Sequence, residues 1–102
     1  MRRADPSRRL LRALERAGDA AGLSIAWELV AARPWVSALF VGARHRLRGT
    51  AAASAALDAF LGVLPEANLA LPGGHVADLT VNAEVDGGNA LIDLTVLVIE
   101  DC

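Results

Sequence analysis

A change of hydrophobic period, which occurs in each half of the chain, constrains the fold more than any other feature. Apolar residues first recur every three or four positions, which is typical of a helix, and then follow patterns typical of strands. Each half contains two strand-like segments. The predicted element order is therefore α-β-β-α-β-β.

The two helical segments have recognisable ends. The first is predicted to start at Pro6, a residue type favoured in a first helical turn, with Asp5 as its cap, and to end at Gly18. For the second, Thr50 is the predicted cap and Pro65 the stop. Both segments carry one apolar stripe, so we expect both helices to lie against the same layer.

Four segments are predicted to be strands, and they cover residues 23–32, 35–48, 77–85 and 90–100. The first three alternate apolar and polar residues, and the fourth is an apolar, β-branched run suited to a central strand. Arg33-Pro34 is predicted to break the first pair. Asp86-Gly87-Gly88-Asn89 is predicted to turn the second pair, because these residue types tolerate positive φ. The chain is thus expected to form two hairpins.

These elements fit an α+β fold in which one four-stranded, mainly antiparallel sheet has both helices on one face. With right-handed connections, this two-layer sandwich is a ferredoxin-like arrangement whose first strand has moved to the end of the chain, with segments 35–48 and 90–100 at the centre. The length predicts a single domain over residues 1–102, with residues 1–6 as a flexible arm.

Charge is segregated along the chain. All ten arginines lie at or before Arg48 with four carboxylates, a net charge of +6, whereas the rest of the chain has eight carboxylates and no basic residue, a net charge of −8. Alternation predicts that Arg44, Arg46 and Arg48 share one strand face as a basic patch. Weak nucleic-acid binding through this half is one alternative. It is not expected, because aromatic residues total 4% and carboxylates of later strands fall on the same sheet face.

No sequence motif for phosphate, dinucleotide, zinc or nucleophilic catalysis occurs in the chain. The predicted topology nevertheless brings four side chains near one sheet edge, on the helix-facing side: His45, His75, Glu100 and Cys102. Such a group can bind a metal or a small molecule, and the histidines and Glu100 are candidate acid-base groups of an enzyme. The competing interpretation is that the histidines cap strand ends by hydrogen bonds. An enzyme is therefore an alternative, and no cofactor is expected.

The sequence also bears on the compartment. Cys102, the single cysteine, cannot form an internal disulfide, and no long apolar run follows Arg2 and Arg3. The cytoplasm is the expected compartment. No stretch approaches the roughly 20 apolar residues of a membrane-spanning helix, so no membrane partner is expected.

Apolar residues on the sheet face away from the helices predict self-association. The alternation leaves six of them there, on strands expected to be close together: Val30, Val36, Phe40, Leu91, Leu97 and Ile99. A homodimer that buries this face is the expected state, and the alternative is a monomer whose loop 66–74 covers it. The predicted function is a small, non-catalytic interaction or regulatory domain that acts as a homo-oligomer, with a further protein partner as a possibility.

Overall fold

The structure, a computed structural model, describes residues 6–69 and 71–100. It contains two α-helices and four strands in the predicted order α-β-β-α-β-β. They are α1 (Pro6–Ala20), β1 (Ala26–Val36), β2 (Val41–Ala52), α2 (Ala55–Val63), β3 (Gly74–Asp86) and β4 (Asn89–Glu100). A short 3₁₀ helix, Leu64–Glu66, follows α2.

The four strands form one sheet in the order β1-β2-β4-β3, and every neighbouring pair is antiparallel. The prediction of an α+β fold with a four-stranded antiparallel sheet and two helices is confirmed. β2 and β4 are the central strands, and β1 and β3 are the two edges. The connection from β2 through α2 to β3 leaves room for β4 between them.

The core lies between the sheet and the two helices. One cluster of buried side chains joins both helices to the central strands: Leu10 and Leu14 of α1, Leu57 and Leu61 of α2, Leu47 of β2, and Ile92, Leu94 and Val96 of β4. Burial of each such side chain stabilises the fold by about 1.5–3 kcal/mol. Both helices therefore cover the same side of the sheet, and we call the opposite side the open face.

Both edge strands contain a β-bulge. The register shifts between Leu29 and Ala31 in β1, and between Val76 and Asp78 in β3. An extra residue in a strand reverses which side chains face the helices from that point on. The bulges, at Val30 and Ala77, therefore change the facing of several residues whose position the alternation predicted.

The predicted break at Arg33-Pro34 is wrong. β1 continues to Val36, and Pro34 pairs with Ala43 inside the ladder. A proline is tolerated there because β1 is an edge strand, and its missing N–H removes no bond to a second neighbour. The first hairpin instead turns at residues 37–40, where the Ser37 N–H donates to the Phe40 carbonyl oxygen at 2.9 Å.

The predicted element ends also need correction. Thr50 lies in β2, and the cap of α2 is Ser54, whose Oγ accepts a hydrogen bond from the Leu57 N–H at 3.0 Å. α1 continues past Gly18 to Ala20. Of the predicted arm, residues 1–5 lie outside the described residues, and Pro6 is the first residue of α1.

Within residues 6–69 and 71–100, no helix is both long enough and apolar enough to cross a membrane.

Candidate functional site

The open face is divided into a basic half and an acidic half. Its β1–β2 half carries four arginines and one carboxylate, a net charge of +3, on Glu28, Arg33, Arg44, Arg46 and Arg48. Its β4–β3 half carries four carboxylates and no basic residue, a net charge of −4, on Asp78, Glu84, Asp86 and Asp93. The linear segregation of charge along the sequence becomes a division across this face, because β1 and β2 come from the basic part of the chain.

Little of this charge is neutralised within the chain. Arg33 lies directly opposite Arg44 in the β1–β2 ladder, and like charges in that position repel each other. In the described part of the chain, the face has one ion pair, between Arg48 Nε and Asp93 Oδ1 at 3.8 Å, and both side chains are more than half exposed. Such an exposed pair contributes at most about 1 kcal/mol. The two halves therefore present opposite charge to the surroundings.

The six apolar residues predicted to form an interface do not make one patch. Leu91 lies beside Thr50 and Leu97 beside Arg44, and two polar rows of the open face separate the pair. Ile99 lies on the open face, where it pairs with Gly42 on one side and His75 on the other, but only 5% of its surface is exposed.

The other three lie elsewhere. Val36 pairs with Val41 on the helix-facing side, because the bulge at Val30 reverses the facing of the rest of β1. Phe40 belongs to the turn 37–40 rather than to a strand, and Val30 is the bulge residue itself. The prediction of a contiguous apolar patch on the open face is wrong.

His45 is buried on the helix-facing side of β2, with 1% of its surface exposed. Its Nδ1 lies 3.3 Å from the hydroxyl of Ser7, a buried residue in the first turn of α1. A cavity of about 230 Å³ adjoins this pair and is also lined by Arg33 and Glu100. The cavity is smaller than the roughly 300–1,000 Å³ of typical small-molecule sites. The Ser7–His45 contact therefore acts chiefly to attach α1 to the sheet.

The predicted four-residue cluster is not assembled. His45 and Glu100 line the same cavity, but His75 pairs with Ile99 and lies on the open face, because the bulge at Ala77 reverses the facing of the start of β3. Cys102 lies outside the described residues. Among the residues that the structure describes, no three histidine, cysteine, aspartate or glutamate side chains are grouped to hold a metal ion.

A second concavity, of about 650 Å³, lies between the last turns of α1 and the start of β1. Arg12, Arg16, Glu15 and Asp19 line it together with Trp27. The Trp27 ring lies flat against Gly49, where an added Cβ would be 2.6 Å from ring atom Cζ3. The groove is wide and carries both signs of charge, so it selects no class of ligand.

One end of the molecule exposes large apolar side chains at a turn. Val36, Leu39, Phe40 and Val41 are 70%, 80%, 51% and 52% exposed. The polar turn 86–89 lies at the opposite end of the sheet, since the two hairpins run in opposite directions along it. The alternation of apolar residues predicts a strand over residues 35–48, which includes this turn, and the one signal against a strand here is Ser37, a common turn residue.

Comparison of this chain with protein-family models, with curated protein sequences and with solved structures gives no match.

Proposed function

We propose that this chain is a small, non-catalytic interaction domain of the cytoplasm that acts as a homodimer through the open face of its sheet. The observation that carries the proposal is the division of that face into a basic half and an acidic half. Among the described residues, one exposed ion pair, Arg48–Asp93, links the two halves, and each half is the complement of the other. A second copy of the chain is therefore the partner whose charge fits best.

Charge complementarity also selects the symmetry of the dimer. A two-fold axis that runs parallel to the strands, between two stacked sheets, places β1 and β2 of one protomer over β3 and β4 of its partner. The basic half then meets the acidic half twice. An axis perpendicular to the strands in the same plane places arginine over arginine, which charge repulsion disfavours.

The edges of the sheet are less suitable for self-association than its face. β1 and β3 each have a bulge, β1 contains Pro34, and β3 carries exposed carboxylates. These are the features by which edge strands resist pairing with another chain. The face follows the 44 Å long axis of the molecule, and four strands with their side chains span roughly 20 Å. The area of the open face is therefore on the order of the 800 Å² that each partner contributes to a standard interface.

Two charge-reversed variants test the proposal. One carries Arg44→Glu and Arg46→Glu, and the other carries Asp78→Arg and Glu84→Arg, so both leave the Arg48–Asp93 pair intact. Each variant alone is expected to be a monomer, because the halves of the first variant carry −1 and −4 and those of the second carry +3 and 0, so neither homodimer has an attractive contact. An equimolar mixture is expected to form a heterodimer, since the −4 half of the first variant meets the +3 half of the second. Native mass spectrometry distinguishes the three species.

The matched control is Arg12→Glu with Arg16→Glu, which reverses two exposed arginines on α1 instead. It is expected to remain a homodimer. The proposal is contradicted if the wild type is a monomer, if the control dissociates as the face variants do, or if the mixed face variants do not associate.

We further propose that the fold is a circularly permuted ferredoxin-like arrangement. The strand order β1-β2-β4-β3 becomes the ferredoxin-like order when β4 is moved ahead of α1. Ser7 and Glu100 line the same cavity, so a short linker can join the two ends of the described chain. A permuted chain that begins at Gly88 and ends at Gly87 is expected to fold with a similar circular dichroism spectrum. Failure of every linker length to give a cooperative unfolding transition opposes this relationship.

A further inference from the structure

The apolar turn of the first hairpin is a second surface, separate from the open face. We call residues 35–41 the apolar tip, and all but Ser37 are apolar. Four of the eight large apolar side chains that the structure exposes lie in these seven residues. A concentration of this kind at one point usually marks a contact with a partner or a membrane.

Formation of the turn does not require these side chains. The Ser37 hydroxyl accepts hydrogen bonds from the Leu39 and Phe40 N–H groups, at 3.4 and 3.1 Å, and the backbone bond from Ser37 to Phe40 closes the turn. Leu39 is four-fifths exposed and takes no part in the core. The apolar character of the tip therefore calls for an explanation other than folding.

Arginines lie near the base of the tip, together with Glu100, a carboxylate that lines the same cavity as Gly42. Arg33 precedes it in β1 and Arg44 follows it in β2, where the two pair directly. The first turn of α1 lies at the same end of the molecule, since Ser7 lines a cavity with Arg33 and Gly42. Arg8 and Arg9 follow Ser7 in this turn. Arg9 donates a hydrogen bond to the Pro72 carbonyl oxygen, which fixes this turn next to the start of β3.

We propose that the apolar tip docks on an anionic lipid surface, with Leu39 and Phe40 inserted among the acyl chains and with Arg8 and Arg9 of α1, which lie outside the open face, at the headgroups. Apolar side chains held at the end of a protein and flanked by arginines match the two layers of such a surface. Trp35, at the base, has the amphipathic ring that favours the headgroup level. The expectation of no membrane partner considered spanning segments only, and a peripheral tip needs none.

The shape of the tip favours lipid over a protein partner. It is a convex end formed by a four-residue turn, so a protein partner needs a matching pocket, whereas a lipid surface adapts to it. If the proposed dimer forms about an axis parallel to the strands, both tips lie at the same end and contact one surface together. That bivalency rests on the proposed function, but docking by a single tip does not.

The test measures binding to vesicles of phosphatidylcholine with phosphatidylglycerol, and of phosphatidylcholine alone. A Trp27→Phe background leaves Trp35 as the only tryptophan, so its emission reports insertion, and co-sedimentation gives the bound fraction. Anionic vesicles are expected to bind the protein and shift the Trp35 emission to the blue, and neutral vesicles to bind it at least tenfold more weakly.

Two variants separate the contribution of the apolar side chains to vesicle binding from that of the arginines. Leu39→Asp with Phe40→Asp is expected to abolish insertion, and Arg8→Gln, which leaves the open face unchanged, to weaken binding about fivefold. The matched control, Val63→Asp with Val85→Asp, changes two valines that are 62% and 67% exposed elsewhere. It is expected to bind as the parent chain does.

Three results overturn the inference. They are no binding to anionic vesicles, equal loss in the control, and a tip variant that changes the oligomeric mass while vesicle binding stays the same, which assigns the tip to a protein contact. The face variant with Asp78→Arg and Glu84→Arg separates the two proposals. If this variant is a monomer and its Trp35 emission still shows insertion into vesicles, both proposals hold. If the wild type never dimerises but its tip inserts, only the proposed dimer function fails.

Discussion

The two hairpins of this sheet turn by different means. The second turns through Gly87 and Gly88, both in the left-handed region with φ of 59° and 84°, between the polar residues Asp86 and Asn89. The first turns through Ala38 and Leu39, and outside glycine the described residues have no positive φ. Glycines with positive φ match the right-handed twist of a hairpin, whereas an unprimed turn splays the strands.

The two turns differ in how much their side chains contribute to folding. The second turn has the residue types that its backbone needs and exposes no large apolar side chain. The first turn relies on Ser37 to satisfy its N–H groups and exposes Leu39 and Phe40 to water. We infer that the side chains of the first turn are retained for contact with something outside the chain.

The largest loss of stability is expected from substitution of Gly42, because the glycines of the two hairpins are needed for different reasons. Gly42, in the first, needs its small size, because an added Cβ would overlap the Val98 carbonyl oxygen and lie 3.0 Å from Ile99 Cα, both backbone atoms of the central strand β4. Gly42→Ala is therefore expected to lower the free energy of unfolding by about 3 kcal/mol. Urea unfolding at fixed protein concentration measures it.

In the second hairpin, glycine is needed for its backbone angle and not for space. Nothing lies within 4 Å of a Cβ added at Gly88, but its φ is 84°. Gly88→Ala is expected to cost about 1–2 kcal/mol. Gly62→Ala in α2, with open space and no positive φ, is the control and is expected to raise stability by up to about 1 kcal/mol. If Gly88→Ala lowered the free energy of unfolding more than Gly42→Ala does, the expected difference between the two hairpins would be wrong.

The Ser37 hydroxyl is expected to stabilise the first turn. Ser37→Ala leaves the N–H groups of Leu39 and Phe40 to water, and we expect a loss of about 0.5–1 kcal/mol because both groups are exposed. Ser37→Asp, which offers the same acceptor, is expected to retain the stability. Thermal unfolding of the three proteins gives the ranking, and equal stability of Ser37→Ala and the wild type would show that the hydroxyl does not hold the turn.

The smallest effect has the opposite sign. Ala38→Asn with Leu39→Gly introduces into the first hairpin the residues that favour a primed turn. We expect a gain of about 0.5 kcal/mol together with weaker vesicle binding, since Leu39 is the most exposed apolar residue of the tip. A loss of stability would mean that the natural turn is already the best one for folding, and its apolar residues would need no external explanation.

How much of the fold the sequence predicts depends on whether the signal is local. The Asp86–Asn89 turn and the apolar, β-branched run of β4 are local signals, and both elements are found as predicted. The Arg33-Pro34 break is wrong because the effect of proline depends on whether its strand is an edge, which is a tertiary property. Thr50 and Ser54 are both favoured cap types, with serine ranked higher, and the length of β2 places Thr50 inside a strand.

The candidate sites were less predictable, because they depend on which side of the sheet each side chain lies. Single extra residues at Val30 and Ala77 leave no mark in the composition, yet they move Val36 and His75 to the opposite side of the sheet. The arginines at 44, 46 and 48 lie on β2, which has no bulge against β4, and their common facing followed directly from alternation. The contact between Ser7 and His45 joins residues far apart in sequence and has no local signal.

We propose that the two oppositely charged halves of the open face bind a second copy of the chain. Light scattering of the wild type at tens of micromolar, across a series of salt concentrations, tests it most directly. Twice the chain mass of 10.6 kDa is expected at low salt, with dissociation as salt screens the charges. A mass of 10.6 kDa at every salt concentration would contradict it.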